Sequence, residues 1–165
     1  MILDHNWQFD AGVDVAMPNG AQGIITNVID WTTSKWKDWV NSPIPLWYMV
    51  VITDVPDAGT SCCVQFYQHS TTTITSGDLL WTGPVLTVAN MSAEPDNDGH
   101  ILAAIPLLTV MAAALAMSGQ DQYMGGVLTA VGDCSTGGVR SFLHIGVNPP
   151  VITARPTASN VVMPT

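Results

Sequence analysis

Val, Ile and Thr fill 46 of the 165 positions, whereas the chain holds one Glu (Glu94) and two Lys. β-branched side chains are stiff at χ1 and suit a pleated strand. Glu, Lys, Gln and Arg, which normally cover helix surfaces, are scarce. Gly (14), Pro (11) and twelve Asp supply turn chemistry. A mostly β fold follows. One domain is expected at this length, with a core large enough to need no metal or disulfide staple.

Charge narrows the function. Only 10% of residues are charged, against about 25% in a typical domain, and the net charge is −9. Such an acidic balance argues against nucleic-acid binding, which needs cations to neutralise phosphates, and against docking on anionic lipid. With 47% apolar residues the chain is not of the disordered class. The three cysteines (Cys62, Cys63, Cys134) are odd in number and lack metal-ligand spacing, so neither a disulfide framework nor a structural zinc site is expected. The opening Met-Ile-Leu-Asp-His-Asn-Trp has no basic stretch before an apolar one, so no signal peptide is expected.

Along the chain, residues 1–23 read as an extended N-terminal arm and Ile24–Asp30 as a short strand. Trp31–Asn41 interleaves Trp31, Trp36 and Trp39 with Lys35 and Lys37, and a short helix is plausible near 34–40. Leu46–Thr53 is apolar on both faces and should be a central, covered strand. In Cys62–His69 alternation puts Cys62, Val64 and Phe66 on one face, and Cys63, Gln65, Tyr67 and His69 on the other. Leu79–Trp81 and Val85–Val88, around Gly83-Pro84, suggest two short strands or one bent edge strand. Met124–Val131 and Ser141–Val147 complete the set. For residues 101–117 a buried strand pair is expected ahead of a core helix; a membrane span is disfavoured by Pro106 and by length. Residues 148–165, with four Pro, read as a C-terminal arm. The expected architecture is an all-β jelly roll or β-sandwich of about eight short strands over 24–147, with an arm at each end.

Catalytic and metal signals are weak. Glu94-Pro-Asp96-Asn-Asp98-Gly99 has the spacing of half a calcium loop, but Ile105 stands where the closing Glu belongs, and a solvated turn is expected. His5, His69, His100 and His144 are isolated in sequence. No nucleophile-elbow, phosphate-loop or dinucleotide fingerprint appears, so no catalytic residue, metal or cofactor is expected. The Trp group, with Trp47, has three readings: ordinary core capping the barrel, a partner-docking patch, or a sugar-stacking platform. Lys35 and Lys37 favour docking on an acidic partner over sugar. With Arg155 on the C-terminal arm, the candidate partner-binding residues are Trp31, Lys35, Trp36, Lys37, Trp39 and Arg155. So little charge also leaves much neutral surface, which points to a subunit of an assembly and to a homo-oligomer.

The framework resembles the jelly-roll cement, or decoration, proteins on capsids of short-tailed bacteriophages. The resemblance lies in Met1-Ile-Leu-Asp4, Thr26-Asn27-Val28-Ile29-Asp30, Pro45-Leu46-Trp47-Tyr48, Cys62–His69, Ile105-Pro106 and Gly125–Ala130, across residues 1–147. The Trp-rich stretch 31–41 and the tail after 148 depart from it. The resemblance implies a non-enzymatic virion protein, made in the host cytoplasm, that sits outside the icosahedral shell. It would bridge copies of the major capsid protein against internal DNA pressure. The alternative is a carbohydrate-binding jelly roll of the lectin kind.

Overall fold

A computed structural model of the chain describes residues 15–20, 22–24, 28–30, 45–74, 77–92, 101–117 and 121–146. Among these, ten strands and two helices follow the order β1 (Val15–Ala16), β2 (Gln22–Ile24), β3 (Ile29–Asp30), β4 (Leu46–Asp54), β5 (Ser61–His69), β6 (Asp78–Thr82), β7 (Leu86–Thr87), α1 (Val88–Ser92), β8 (Ile101–Pro106), α2 (Leu107–Ala116), β9 (Tyr123–Val131) and β10 (Gly138–Ile145).

The pairing is nested and wholly antiparallel. First pairs with last, β1 with β10; then β2 and β3 with β9, β4 with β8, and β5 with β6 and β7. Two further ladders, β10 with β4 and β9 with β5, roll this long hairpin into two sheets. The sheets are β1-β10-β4-β8 and β2-β9-β5-β6, the second also holding β3 and β7. β2 with β3, and β6 with β7, each occupy one interrupted strand position, so ten strands fill eight places. This is a jelly roll, the all-β sandwich expected.

β4 lies between β10 and β8 and is buried on both faces, as its unbroken apolar run requires. Its Tyr48, Val50 and Ile52 meet Cys62, Val64 and Phe66 of β5 in the core between the sheets. The Tyr48 and Phe66 rings stand edge to face with centroids 5.0 Å apart. Each sheet also has an apolar cluster on its outer face. Met49, Val51 and Phe142 group with Trp47, Ile101 and Ala104 on the four-stranded sheet. Tyr67, Ile74 and Val127 group with Val28 and Tyr123 on the six-stranded one. The alternation expected for β5 holds, and it continues to Gln68, which is buried and donates from Nε2 to Asp78 Oδ2 at 3.3 Å.

Three expectations need correction. Residues 107–116 form α2, not a second strand. Leu, Met and a run of Ala lose little side-chain freedom in a helix, and only Thr109 and Val110 are β-branched there. Pro106 ends β8 in extended backbone and stands at the helix start, where its missing N–H costs nothing. Leu107, Val110 and Met111 join the core cluster at helical spacing, and Ala114, one turn on, is buried with them. Second, the segment read as an arm over 1–23 contains β1 and the start of β2. Val15–Ala16 is too short to signal a strand locally and is held by Val139 and Gly138, far along the chain. Third, the expected strand Val85–Val88 is only Leu86–Thr87 before α1 begins. Gly83-Pro84-Val85 breaks the edge of the six-stranded sheet, though Gly83 N still donates to Val64 O at 2.8 Å. Residues 1–14 of the N-terminal arm, the helix near 34–40 and the C-terminal arm lie outside the described residues. No helix among the described residues is long and apolar enough to cross a membrane.

Candidate interaction surface

Strand register assigns the sandwich two ends. At one, Asp54 lies opposite Gly138, Ser61 opposite Val131, and Val51 opposite Ile101. At the other, Leu46 lies opposite Ile145, Trp47 opposite Pro106, His69 opposite Tyr123, and Asp30 opposite Tyr123.

The first end is a tight knot of turns. Met17 N donates to Gly137 O (2.9 Å), Gly20 N to Gly132 O (2.8 Å) and Thr60 N to Val131 O (2.7 Å). Gly59 has φ +101°, and a Cβ there would run into Cys134 Sγ. Asp133 Oδ1 accepts from Ser135 N (3.0 Å) and Ser135 Oγ (2.6 Å), which holds the Asp133 carboxyl below its ordinary range. Asp54, Asp57 and Asp133 are all exposed here. The connection over 93–100, rooted at this end, carries Glu94, Asp96 and Asp98 and no Lys or Arg.

At the opposite end α2 crosses from the four-stranded sheet toward the six-stranded one. It starts at Pro106, and just beyond its last turn Gln68 Nε2 lies 3.4 Å from Met117 Sδ. Its outward positions Leu108, Thr109, Ala112 and Ala116 are exposed, and the helix has no charged residue. Leu108 is 67% exposed. Two longer segments of the chain are rooted at the same end. The 31–44 connection leaves β3 at Asp30 and re-enters just before β4. The C-terminal segment departs after β10. The roots are joined: Gly146 N donates to Pro45 O at 3.0 Å, and Trp47 Nε1 donates to Gly146 O at 3.0 Å.

The sequence-derived candidates Trp31, Lys35, Trp36, Lys37, Trp39 and Arg155 all lie outside the described residues. What is described is where their segments attach, and the topology brings those attachments together at the α2 end. Trp47, the fourth of that Trp group, is half-buried against the outer cluster of the four-stranded sheet. Arg140 is the only Lys or Arg among the described residues; it lies on β10 two residues before Phe142. The sequence reading missed the exposed apolar side chains Leu108, Val131 (58%), Val85 (64%) and Leu79 (43%). Helical spacing over 107–114 was the signal that would have turned Leu108 outward.

Chemistry at the remaining groups is quiet. Burial pushes the Cys62 thiol up to about 12, with Cys134 and Cys63 adding to the shift; burial also raises Cys63 and Cys134. Thiols so placed stay protonated at neutral pH and are poor nucleophiles. His69 Nδ1 accepts from Thr71 N at 3.0 Å, inside a turn. His5, His100 and the acidic stretch 94–98 lie outside the described residues. Among the described residues no group of three or more His, Cys, Asp or Glu is placed to hold a metal ion. Neither a protein-family model nor a curated protein sequence matches the chain.

Proposed function

We propose that this protein is a structural subunit of a virion, a cement protein that binds the outside of an icosahedral shell and bridges major capsid subunits. One observation carries most weight: a jelly-roll body with Arg140 as its only described cation exposes Leu79, Val85, Leu108 and Val131. A lone domain gains by covering such surface, and a lattice offers the same weak contact many times over. The net charge of −9 suits a place away from packaged nucleic acid. The resemblance of the framework to phage cement proteins supports the same role. The carbohydrate-binding alternative finds no favouring observation, since no aromatic side chain among the described residues is exposed.

The test uses empty icosahedral shells assembled from a short-tailed phage major capsid protein. Purified protein added to them should co-sediment and raise their melting temperature, because a ligand that binds only the assembled state stabilises it. Shells that neither bind the protein nor melt later would overturn the role.

A further inference from the structure

β4 pairs with all eight residues of β10, Gly138–Ile145, whereas the described part of β1 meets two of them, Val15 opposite Val139 and Ala16 opposite Gly138. The two strands are antiparallel, so each step back from Val15 toward the N-terminus is a step forward along β10. On β10, Val139 and Leu143 belong to the core between the sheets and Phe142 to the cluster on the outer face. Alternation therefore makes 141, 143 and 145 core positions and 140, 142 and 144 outer ones. Carried backward, the register of β1 sets positions 13, 11 and 9 beside the core positions and 14, 12 and 10 beside the outer ones.

We propose that residues 9–14 of this chain continue β1 along β10 and complete this edge of the four-stranded sheet. Three matches support the assignment. The apolar Phe9, Ala11 and Val13 share a face with Val15, which packs against the core, and Asp10 and Asp14 fall on the other face. A slip of one residue would turn both acids inward. The acids also meet the basic side chains of β10. Asp14 comes beside Arg140, the only described Lys or Arg, and Asp10 beside His144, whose Nδ1 is buried with no hydrogen-bond partner among the described residues. A carboxylate there accepts that N–H. Gly12 leaves room beside the Phe142 ring. Finally, Met17 N donates to Gly137 O, which makes residues 17 and 137 a hydrogen-bonded pair. Counting back by twos, 14 with 140 and 10 with 144 are non-hydrogen-bonded pairs, the kind whose side chains stand closest. Asp14 follows Val15 with no linker between them, so the chain's own segment reaches this place before any second copy's. Charged side chains on an edge strand oppose strand addition, so neighbours in an assembly would meet the protein elsewhere.

The test is amide hydrogen exchange of the full-length protein, read residue by residue by NMR. In this register the amides of Ala11 and Val13 point at β10 and those of Gly12 and Asp14 point away. Ala11 and Val13 should exchange at least about tenfold more slowly than Gly12 and Asp14. A charge-reversal cycle reads the side chains. Asp14→Lys and Arg140→Asp should each lower the urea midpoint, and the two together should regain most of the combined loss. Exchange in the unaltered chain remains decisive if Arg140→Asp does not fold. Exchange at unfolded rates throughout 9–14, protection without alternation, or additive losses in the double variant would each overturn the extension. Protection that fades on dilution would give the place to a second copy's segment and overturn the assignment to the same chain.

Discussion

The indole N–H of Trp47 donates to the carbonyl of Gly146 at 3.0 Å, fastening the end of β10 to the start of β4. Gly146 N returns the bond to the same strand start, to Pro45 O at 3.0 Å. Removing the donor while keeping an aromatic ring, as in Trp47→Phe, should lower unfolding free energy by about 1 kcal/mol. Urea denaturation with an unchanged slope checks the cost. Faster hydrogen exchange at the Gly146 amide checks its place.

Gly59 is a point where the backbone needs glycine. Its φ of +101° is strained for any L residue, and a Cβ would strike Cys134 Sγ. Gly59→Ala should therefore cost about 2–4 kcal/mol, part from backbone and part from overpacking. Pairing it with Cys134→Ala separates the two. The second change should recover the part of the loss due to Cys134 Sγ and leave the part due to φ and to the close Asp133 carbonyl, a coupling measurable as a double-mutant cycle.

The buried thiols make stability fall on the alkaline side. Cys62 is raised in the folded state from an ordinary 9.0 to about 12. The fold thus holds a proton that the unfolded chain gives up sooner. That contribution is intact below pH 9 and is lost as pH climbs from 9 through 12. The urea midpoint should decline over that range, and Cys62→Ala, whatever its cost at pH 7, should flatten the decline in part. At neutral pH an aromatic disulfide reagent should react slowly with native Cys62 and quickly after unfolding.

Asp133 works in the other direction. Its carboxyl is held below the usual range by the Ser135 hydroxyl and amide. Its contribution is present above the unfolded value and is lost as pH falls through the folded one. The group is exposed, so the effect on stability is small. The direct check is an NMR titration in which Ser135→Ala moves the Asp133 midpoint back up toward its ordinary value.

Much of the fold was legible in residues 46–69. An unbroken apolar run gave the doubly covered strand β4, and strict alternation sorted the two faces of β5. β1 was hidden, because two residues carry no period and its partner lies more than a hundred residues away at Val139. α2 was hidden for a different reason. Its exposed side carries Leu108, Ala112 and Ala116 instead of charge, so the polar contrast that reveals an amphipathic helix is missing. That same lack of charge makes the helix face a candidate interface. The Trp and Lys signal at 31–39 was visible in sequence, but that its connection re-enters at Pro45, beside Gly146 where the C-terminal segment departs, required the register of β10 on β4.

The most direct measurement of the central claim is cryo-electron microscopy of icosahedral shells, assembled from a short-tailed phage major capsid protein, with the protein added. The expected result is jelly-roll density on the outer surface at repeated lattice positions. Shells with no such density, or with it only on the inner surface, would contradict the account.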